Sequence, residues 1–248
     1  MTIKSGASTA MTPRRRKPRV LTLLLGCCLA LLLSACSSLT FQSTFDKEGT
    51  ARHQATFVFD RANLLPQDIS RIERGLNGAI TRATNDGFDV QRISTSSEIG
   101  LRVTGSSMDA LDTGAALNIL FNTLLPTSDD APVAPFSGTF SRESGAVGGS
   151  RFELSLNADG DVLAEAIRGI SPLSPQLQSA ESMAGVISIR VIAILPGTVR
   201  STNGQAAGNR VTWLLPLSGS SELSAVSTIG QSTPWPAVIG VVVLAAML

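Results

Sequence analysis

Alternation of apolar and polar side chains with a period of two constrains the fold of this chain more than any other feature. Residues 51–59 would place one set of side chains on one face of an extended strand and a second set on the other. This pattern predicts a half-buried strand in an antiparallel sheet. The first set is Ala51, His53, Ala55, Phe57 and Phe59, and it alternates with Arg52, Gln54, Thr56 and Val58.

Two hairpins with a helix between them are predicted in the first half of the chain. One hairpin covers residues 39–59 and the other covers residues 88–104. The helix begins at Pro66 and contains Gly75 and Gly78, which would let it pack close to a sheet. Its apolar face consists of Ile69, Ile72, Leu76, Ile80 and Ala83.

The remaining chain predicts one more helix and a series of strands. The capping-box spacing of Ser106 and Asp109 predicts a helix over residues 108–125, and residues 126–150 predict a long loop. Strands are expected at residues 136–142, 151–157, 182–195, 198–201, 209–215 and 222–228, with a turn at residues 158–160. The order predicts an α+β fold in which a curved, mainly antiparallel sheet packs with two helices and ends in a C-terminal β-meander.

The N-terminal residues have the layout of a lipoprotein signal peptide. Six basic side chains and no acidic one lie in residues 1–35, and an apolar run follows the basic cluster. The sequence Leu33-Ser34-Ala35-Cys36 resembles a bacterial lipobox, in which the cysteine thiol is joined to diacylglycerol and the chain is cleaved before it. We therefore predict that residues 1–35 are removed and that Cys36 is lipidated. Translation from Met11 would give a signal of more usual length.

The C-terminal residues predict a membrane segment. After Pro234-Trp235-Pro236 no polar side chain occurs up to Leu248, and Trp235 has the position of an interfacial aromatic residue. The predicted segment covers residues 235–248; its helix, 13 residues from Pro236, is about seven residues too short to span a bilayer, and we expect it to continue beyond Leu248. The exported domain, residues 36–230, would then be held at one membrane face at both ends.

Charge and residue content exclude several classes of function. The net charge is +1, and residues 36–248 are acidic overall, which excludes a strongly basic nucleic-acid binder. His53 is the only histidine, and no thiol is left after Cys36 is acylated, so no catalytic residue, metal site or cofactor is predicted. Asn157, Asp159 and Asp161 suggest a calcium loop, but the glycine spacing does not fit one, and we interpret the segment as a turn.

A set of turn residues near the end of the exported domain resembles a known family. The set is Pro196-Gly197, then Asn203-Gly204, then Gly208-Asn209 followed by Val211 and Trp213. It is similar to the LppM-type domain of actinobacterial cell-envelope lipoproteins. The resemblance implies an α+β domain on the outer membrane face with a lipid or glycolipid ligand, and it implies no catalytic motif.

The sequence also suggests where such a ligand would bind. The second predicted helix is apolar on almost every side, and it forms either an ordinary core helix or the wall of a lipid-sized cavity. The expected wall residues are Leu117, Leu120, Phe121 and Leu124. The function predicted is that of a membrane-anchored, outward-facing, non-catalytic lipoprotein that binds a lipid or glycolipid. The alternative is a structural or scaffold module of an envelope protein complex.

Overall fold

The computed structural model describes residues 37–64, 66–105, 108–125, 132–144, 149–170 and 183–230. They form an α+β fold of two β-sheets and three α-helices, which confirms the predicted fold class. The predicted signal peptide, Cys36 and the C-terminal segment 235–248 lie outside the described residues. Among the residues described, no helix is long and apolar enough to cross a membrane.

The first sheet has eight strands, and only one pair of neighbours is parallel. Its strands are β1 (Ser37–Phe45), β2 (Thr50–Asp60), β3 (Asp89–Ser94), β4 (Glu98–Thr104), β5 (Met108–Asp109), β8 (Ile187–Ile194), β10 (Gln205–Ala207) and β11 (Arg210–Leu215). They follow the order β10-β11-β8-β1-β2-β4-β3, and β5 pairs with β2. Both predicted hairpins, β1–β2 and β3–β4, are confirmed.

The second sheet has four antiparallel strands in the order β6-β7-β12-β9. They are β6 (Phe136–Ser144), β7 (Ser150–Asp159), β9 (Thr198–Thr202) and β12 (Ser220–Ile229). The expectation of one curved sheet is therefore wrong. Buried phenylalanines join the inner faces of the two sheets: the rings of Phe45 and Phe140 stack with centroids 4.2 Å apart, and Phe140 stacks on Phe152 at 5.9 Å.

The predicted C-terminal β-meander is wrong because its strands divide between the two sheets. Gly197 has a positive φ of 77°, and a Cβ there would lie 2.3 Å from the carbonyl oxygen of Thr228. The chain thus turns at Pro196-Gly197 out of the first sheet and pairs as β9 with β12. The apolar strand predicted over residues 182–195 begins only at Ile187, and it pairs in parallel with β1.

Within the described ranges, three α-helices occur where two were predicted. They are α1 (Pro66–Asn85), α2 (Thr113–Leu124) and α3 (Gly160–Ile170). α1 buries Leu76, Ala79 and Ala83 against the core, as its pattern predicts. The close approach expected at Gly75 is absent, because nothing described lies within 4 Å of a Cβ built there.

The start of the second helix and the existence of the third differ from the predictions. α2 begins at Thr113 rather than at residue 108, because the Asp112 side chain accepts a hydrogen bond from the Ala115 amide at 3.3 Å and caps the helix there. The turn predicted at residues 158–160 instead opens α3. Asp159 caps it, since its Oδ1 accepts from the amides of Asp161 and Val162 at 3.0 and 3.1 Å.

Candidate functional site

The residues predicted to line a lipid cavity lie in the hydrophobic core. Leu117, Leu120 and Phe121 are fully buried, and Leu124 is 5% exposed. The Phe121 ring packs 6.2 Å from that of Phe41 on β1. A surface cleft beside Trp213 and a smaller depression beside Ser38 are lined by other residues. Lipid binding along α2 therefore stays a prediction.

Polar side chains of α2 form hydrogen bonds with the backbone of the segment at the start of β6. The Asn118 side chain exchanges two hydrogen bonds with the backbone of Phe136, at 2.9 and 2.7 Å. The Asn122 side chain likewise accepts a hydrogen bond from the Val133 amide at 2.9 Å and donates one to the Val133 carbonyl at 2.7 Å. Each amide thus replaces the backbone partner that an edge segment would lack, and the side chains of Asn118 and Asn122 join the helix to the segment that leads into the second sheet.

The only histidine of the sequence lies in the core, on the buried side of the β2 alternation. His53 has no exposed surface, its Nδ1 lies 2.8 Å from the Ser43 hydroxyl, and its ring meets Phe45 edge-on. Its Nε2 has no hydrogen-bond partner among the described residues. Burial lowers the pKa of His53 from 6.5 to about 4. The side chain is therefore neutral at physiological pH.

The acidic residues near position 159 serve the fold. Asp159 caps α3, and Asp161 Oδ2 accepts a hydrogen bond from the Gly219 amide at 3.2 Å, which ties the helix to the turn before β12. No group of three or more candidate metal ligands occurs within the described parts of the chain. Asp159 and Asp161 thus act as a cap and a turn anchor.

The turn motif identified in the sequence forms a hydrogen-bonded cluster around Asn203. Asn203 Oδ1 accepts from the Trp213 indole N–H at 2.7 Å and from the Ser224 amide at 2.9 Å, while its Nδ2 donates to the Glu222 carbonyl at 2.8 Å. A Cβ at Gly204 would lie 2.6 Å from the indole nitrogen, so a side chain there would collide with Trp213. The motif thus joins β11 of the first sheet to β12 of the second.

Replacing Asn203 by alanine should lower the free energy of unfolding by about 2–3 kcal/mol, because it removes three hydrogen bonds that each contribute about 1 kcal/mol net. Asn209→Ala is the matched control. Its side chain makes one hydrogen bond, to the Leu195 carbonyl at 3.2 Å, and we expect a cost of about 1 kcal/mol. Urea unfolding followed by circular dichroism measures both. Equal costs for the two variants would contradict the role given to Asn203.

A cleft of about 650 Å³ lies beside this cluster, which is within the size range of small-molecule sites. Leu214 projects beside it and is 70% exposed. The Arg190 side chain, on β8, is also exposed there. The full lining is Arg190, Asn203, Gly204, Gln205, Thr212, Trp213, Leu214, Ser221, Glu222 and Leu223.

The cleft could not be located from the residue patterns of the sequence, although one signal for it exists. The buried side chains of β11 are Val211, Trp213 and Leu215, so Leu214 is an apolar residue on the polar side of the alternation. A smaller depression of about 200 Å³ is lined by Ser38, Val58, Asp60, Ser97 and Glu98.

Comparison with known proteins gives one structural similarity. No protein-family model matches the chain, and no curated protein matches it. Among solved structures, the NMR structure of the folded domain of Mycobacterium tuberculosis LppM is similar to it. The two are 16% identical, the match covers 79% of this chain and 91% of that domain, and the TM-score is 0.41. These comparisons do not assign the chain to a family.

Proposed function

We propose that this chain is an exported, non-catalytic lipoprotein, cleaved after Ala35 and acylated at Cys36, whose α+β domain binds a lipid or glycolipid. Residues 235–248 insert into the same membrane. The observation that carries the proposal is the position of the lipobox relative to the fold. β1 begins at Ser37, directly after the cysteine that would receive the lipid.

The first residue after Cys36 already belongs to the sheet. The Ser37 amide donates to the Val186 carbonyl at 3.1 Å, and Ser37 pairs with Ile187 of β8. Every helix and strand that the structure describes follows the proposed cleavage site. Cleavage there would leave all of them intact, and the acyl group would hold the domain without a spacer.

The side chains that line the cleft beside Trp213 support the proposal that it binds an amphipathic ligand. It combines an exposed apolar side chain, Leu214, with the guanidinium of Arg190 and the amide of Gln205. A guanidinium binds phosphate, and side-chain amides pair with sugar hydroxyls, so the lining suits the headgroup of a phospholipid or phosphoglycolipid. The turn motif that resembles the LppM-type domain forms one wall of this cleft.

The state of the only histidine removes it from the candidates for acid–base catalysis, in keeping with the proposed non-catalytic role. General acid–base catalysis needs a group that titrates near the working pH and reaches the substrate. His53 meets neither condition, because its pKa is lowered to about 4 and its side chain has no exposed surface.

Native mass spectrometry tests ligand binding directly. The full chain is purified from the membranes of its host in mild detergent, and the mass of the complex is compared with that of the protein alone. We expect one discrete lipid mass in addition to the acyl group on Cys36. A bare mass, with no lipid regained from total lipid extract, would contradict lipid binding.

The packing of α2 favours a second candidate, a structural or scaffold module of an envelope complex. Leu117, Leu120 and Phe121 have no exposed surface, so these three side chains fill the core and an acyl chain cannot reach them, whereas Ile119 on the same helix is 47% exposed. Such a module would bind protein instead of lipid. Crosslinking in intact cells that captures one protein reproducibly, together with a bare mass in the preceding experiment, would favour it.

A further inference from the structure

The two ends of the described domain lie at opposite ends of the first sheet. Ser37 pairs with Ile187, the first residue of β8, whereas the end of β12 lies beyond the last residue of β8. The Ser227 hydroxyl donates to the Pro196 carbonyl at 2.7 Å, and a Cβ on Gly197 would lie 2.8 Å from the Ile229 side chain. β8 has eight residues, so about 23 Å separate the two ends along the strands.

The lengths of chain available at the two ends restrict how the domain can lie on a membrane. Cys36 has no spacer before β1, and five residues lead from Gly230 to Trp235. Five extended residues reach at most about 17 Å. With β1 upright on the bilayer, Trp235 would not reach the surface that holds Cys36. The strands must therefore incline by at least about 40° from the membrane normal.

The absence of a spacer at Cys36 also selects the surface that faces the bilayer. β1 is the fourth of the seven strands in the sheet order, so either sheet edge is about 14 Å away. The second sheet packs about 10 Å away on the other side. Only the outer face of the first sheet, the side opposite the core, brings Ser37 next to the lipid. We propose that this outer face lies on the headgroup layer of an anionic bilayer, an inference that rests on the proposed function.

The side chains of the outer face suit this partner. One row across the sheet, given by the strand registers, contains Leu214, Arg190, Thr40, Thr56 and Arg102. Its members are uncharged polar groups, two guanidinium groups and a leucine that is 70% exposed. Arginine side chains and single exposed apolar residues are the groups that contact lipid headgroups and the upper acyl region.

Four arginines on the outer face have no carboxylate partner among the described residues. They are Arg52, Arg102, Arg190 and Arg210. By contrast, Arg61 and Arg92 both pair with Glu73. Arg102 Nη1 donates to Gln91 at 3.2 Å, but its Nε is buried without an acceptor among those residues.

The charges are distributed so that they complement the acyl anchor. Arg52 pairs in register with Thr44, and Arg210 with Ile194, so both lie at the end of the sheet far from Cys36. The acidic pair Asp60 and Glu98 lies at the near end, where the acyl group itself would hold the domain. Guanidinium groups at the far end would bind lipid phosphates and keep the strands inclined.

Depth-dependent fluorescence quenching tests the orientation. All three cysteines precede residue 37, so the acylated protein carries no free thiol and accepts one label at an introduced cysteine. The variants Ser38→Cys, Thr44→Cys and Ser155→Cys place the label at the near end of the outer face, at its far end and on the outward side of the second sheet. Each full-length protein is reconstituted in vesicles of phosphatidylglycerol and phosphatidylcholine that contain a lipid-attached nitroxide.

We expect strong quenching at residues 38 and 44 and none at residue 155. Quenching at residue 38 alone, with the acyl mass present on Cys36, would overturn the orientation and leave the proposed function standing. Absence of the acyl mass together with three unquenched labels would overturn both.

A second measurement tests the role of the charges. The double variant Arg52→Gln with Arg210→Gln should weaken the contact of the far end about fivefold for each arginine, and quenching at residue 44 should fall accordingly. Arg74→Gln with Arg82→Gln removes the same charge from α1, away from the outer face, and should leave quenching unchanged. An equal loss for both double variants would overturn the role assigned to the outer-face arginines.

Discussion

Replacing Phe41 by alanine is expected to lower the free energy of unfolding by about 3–5 kcal/mol, the largest effect of any substitution considered for this protein. Phe41 is fully buried on β1. Its ring meets Phe136 of the second sheet at 5.0 Å, edge to face, and Phe121 of α2 at 6.2 Å. One side chain thus joins three elements, and its removal leaves a cavity that none of them can fill alone.

Urea unfolding measures this cost, with Thr40→Ala as the control because it changes the neighbouring residue on the opposite face of β1. We expect the control to stay within about 0.5 kcal/mol of the original protein. If Phe41→Ala does not fold, Phe41→Leu retains much of the volume and should cost less. A cost for Phe41→Ala no greater than that of Thr40→Ala would contradict the two-sheet core.

The second large effect is a loss of stability between pH 6.5 and pH 4, caused by His53. Burial lowers the pKa of its imidazole to about 4 in the folded state, whereas the unfolded chain has the ordinary value of 6.5. Between these values the unfolded chain binds a proton that the folded protein does not. Stability is therefore fully present above pH 6.5, and about 3 kcal/mol is lost as the pH falls to 4.

Comparison of the original protein with His53→Gln isolates this contribution. Carboxylates also titrate at low pH. Hydrogen bonds, chiefly from the Thr50 hydroxyl, lower the pKa of Asp46. The contribution of Asp46 to the free energy of unfolding is therefore lost only as the pH falls below the ordinary carboxyl range. Both proteins retain the contribution of Asp46. The difference between their slopes of unfolding free energy against pH, from pH 6.5 to 4, is therefore due to His53. Parallel pH profiles for the two proteins would show that His53 is not held neutral by burial.

Residue patterns within short stretches of sequence predicted the hairpins and the buried helix face correctly. The hairpins β1–β2 and β3–β4 and the buried face of α1 follow from alternation and from turn residues close in sequence. The parallel pairing of β1 with β8 and the pairing of β7 with β12 join strands that are far apart along the chain. Alternation specifies which face of a strand is buried but not which strand lies beside it, so the division into two sheets was not predictable from it.

The candidate site was predicted less well than the fold. The turn residues around Asn203 and Trp213 were identified, but their role as a hydrogen-bonded link between two sheets depends on side-chain geometry that no spacing reveals. The four arginines of the outer face are scattered in the sequence and come together only through strand register. α3 was missed because Asp159-Gly160 is equally typical of a turn and of a helix N-cap.

The mass of the N-terminal peptide of the protein purified from membranes tests the central proposal most directly. We predict a peptide that begins at Cys36 and carries diacylglycerol on its thiol, and we expect Cys36→Ser to abolish this modification. A peptide that begins at Met1 or Met11, with Cys36 unmodified, would contradict it.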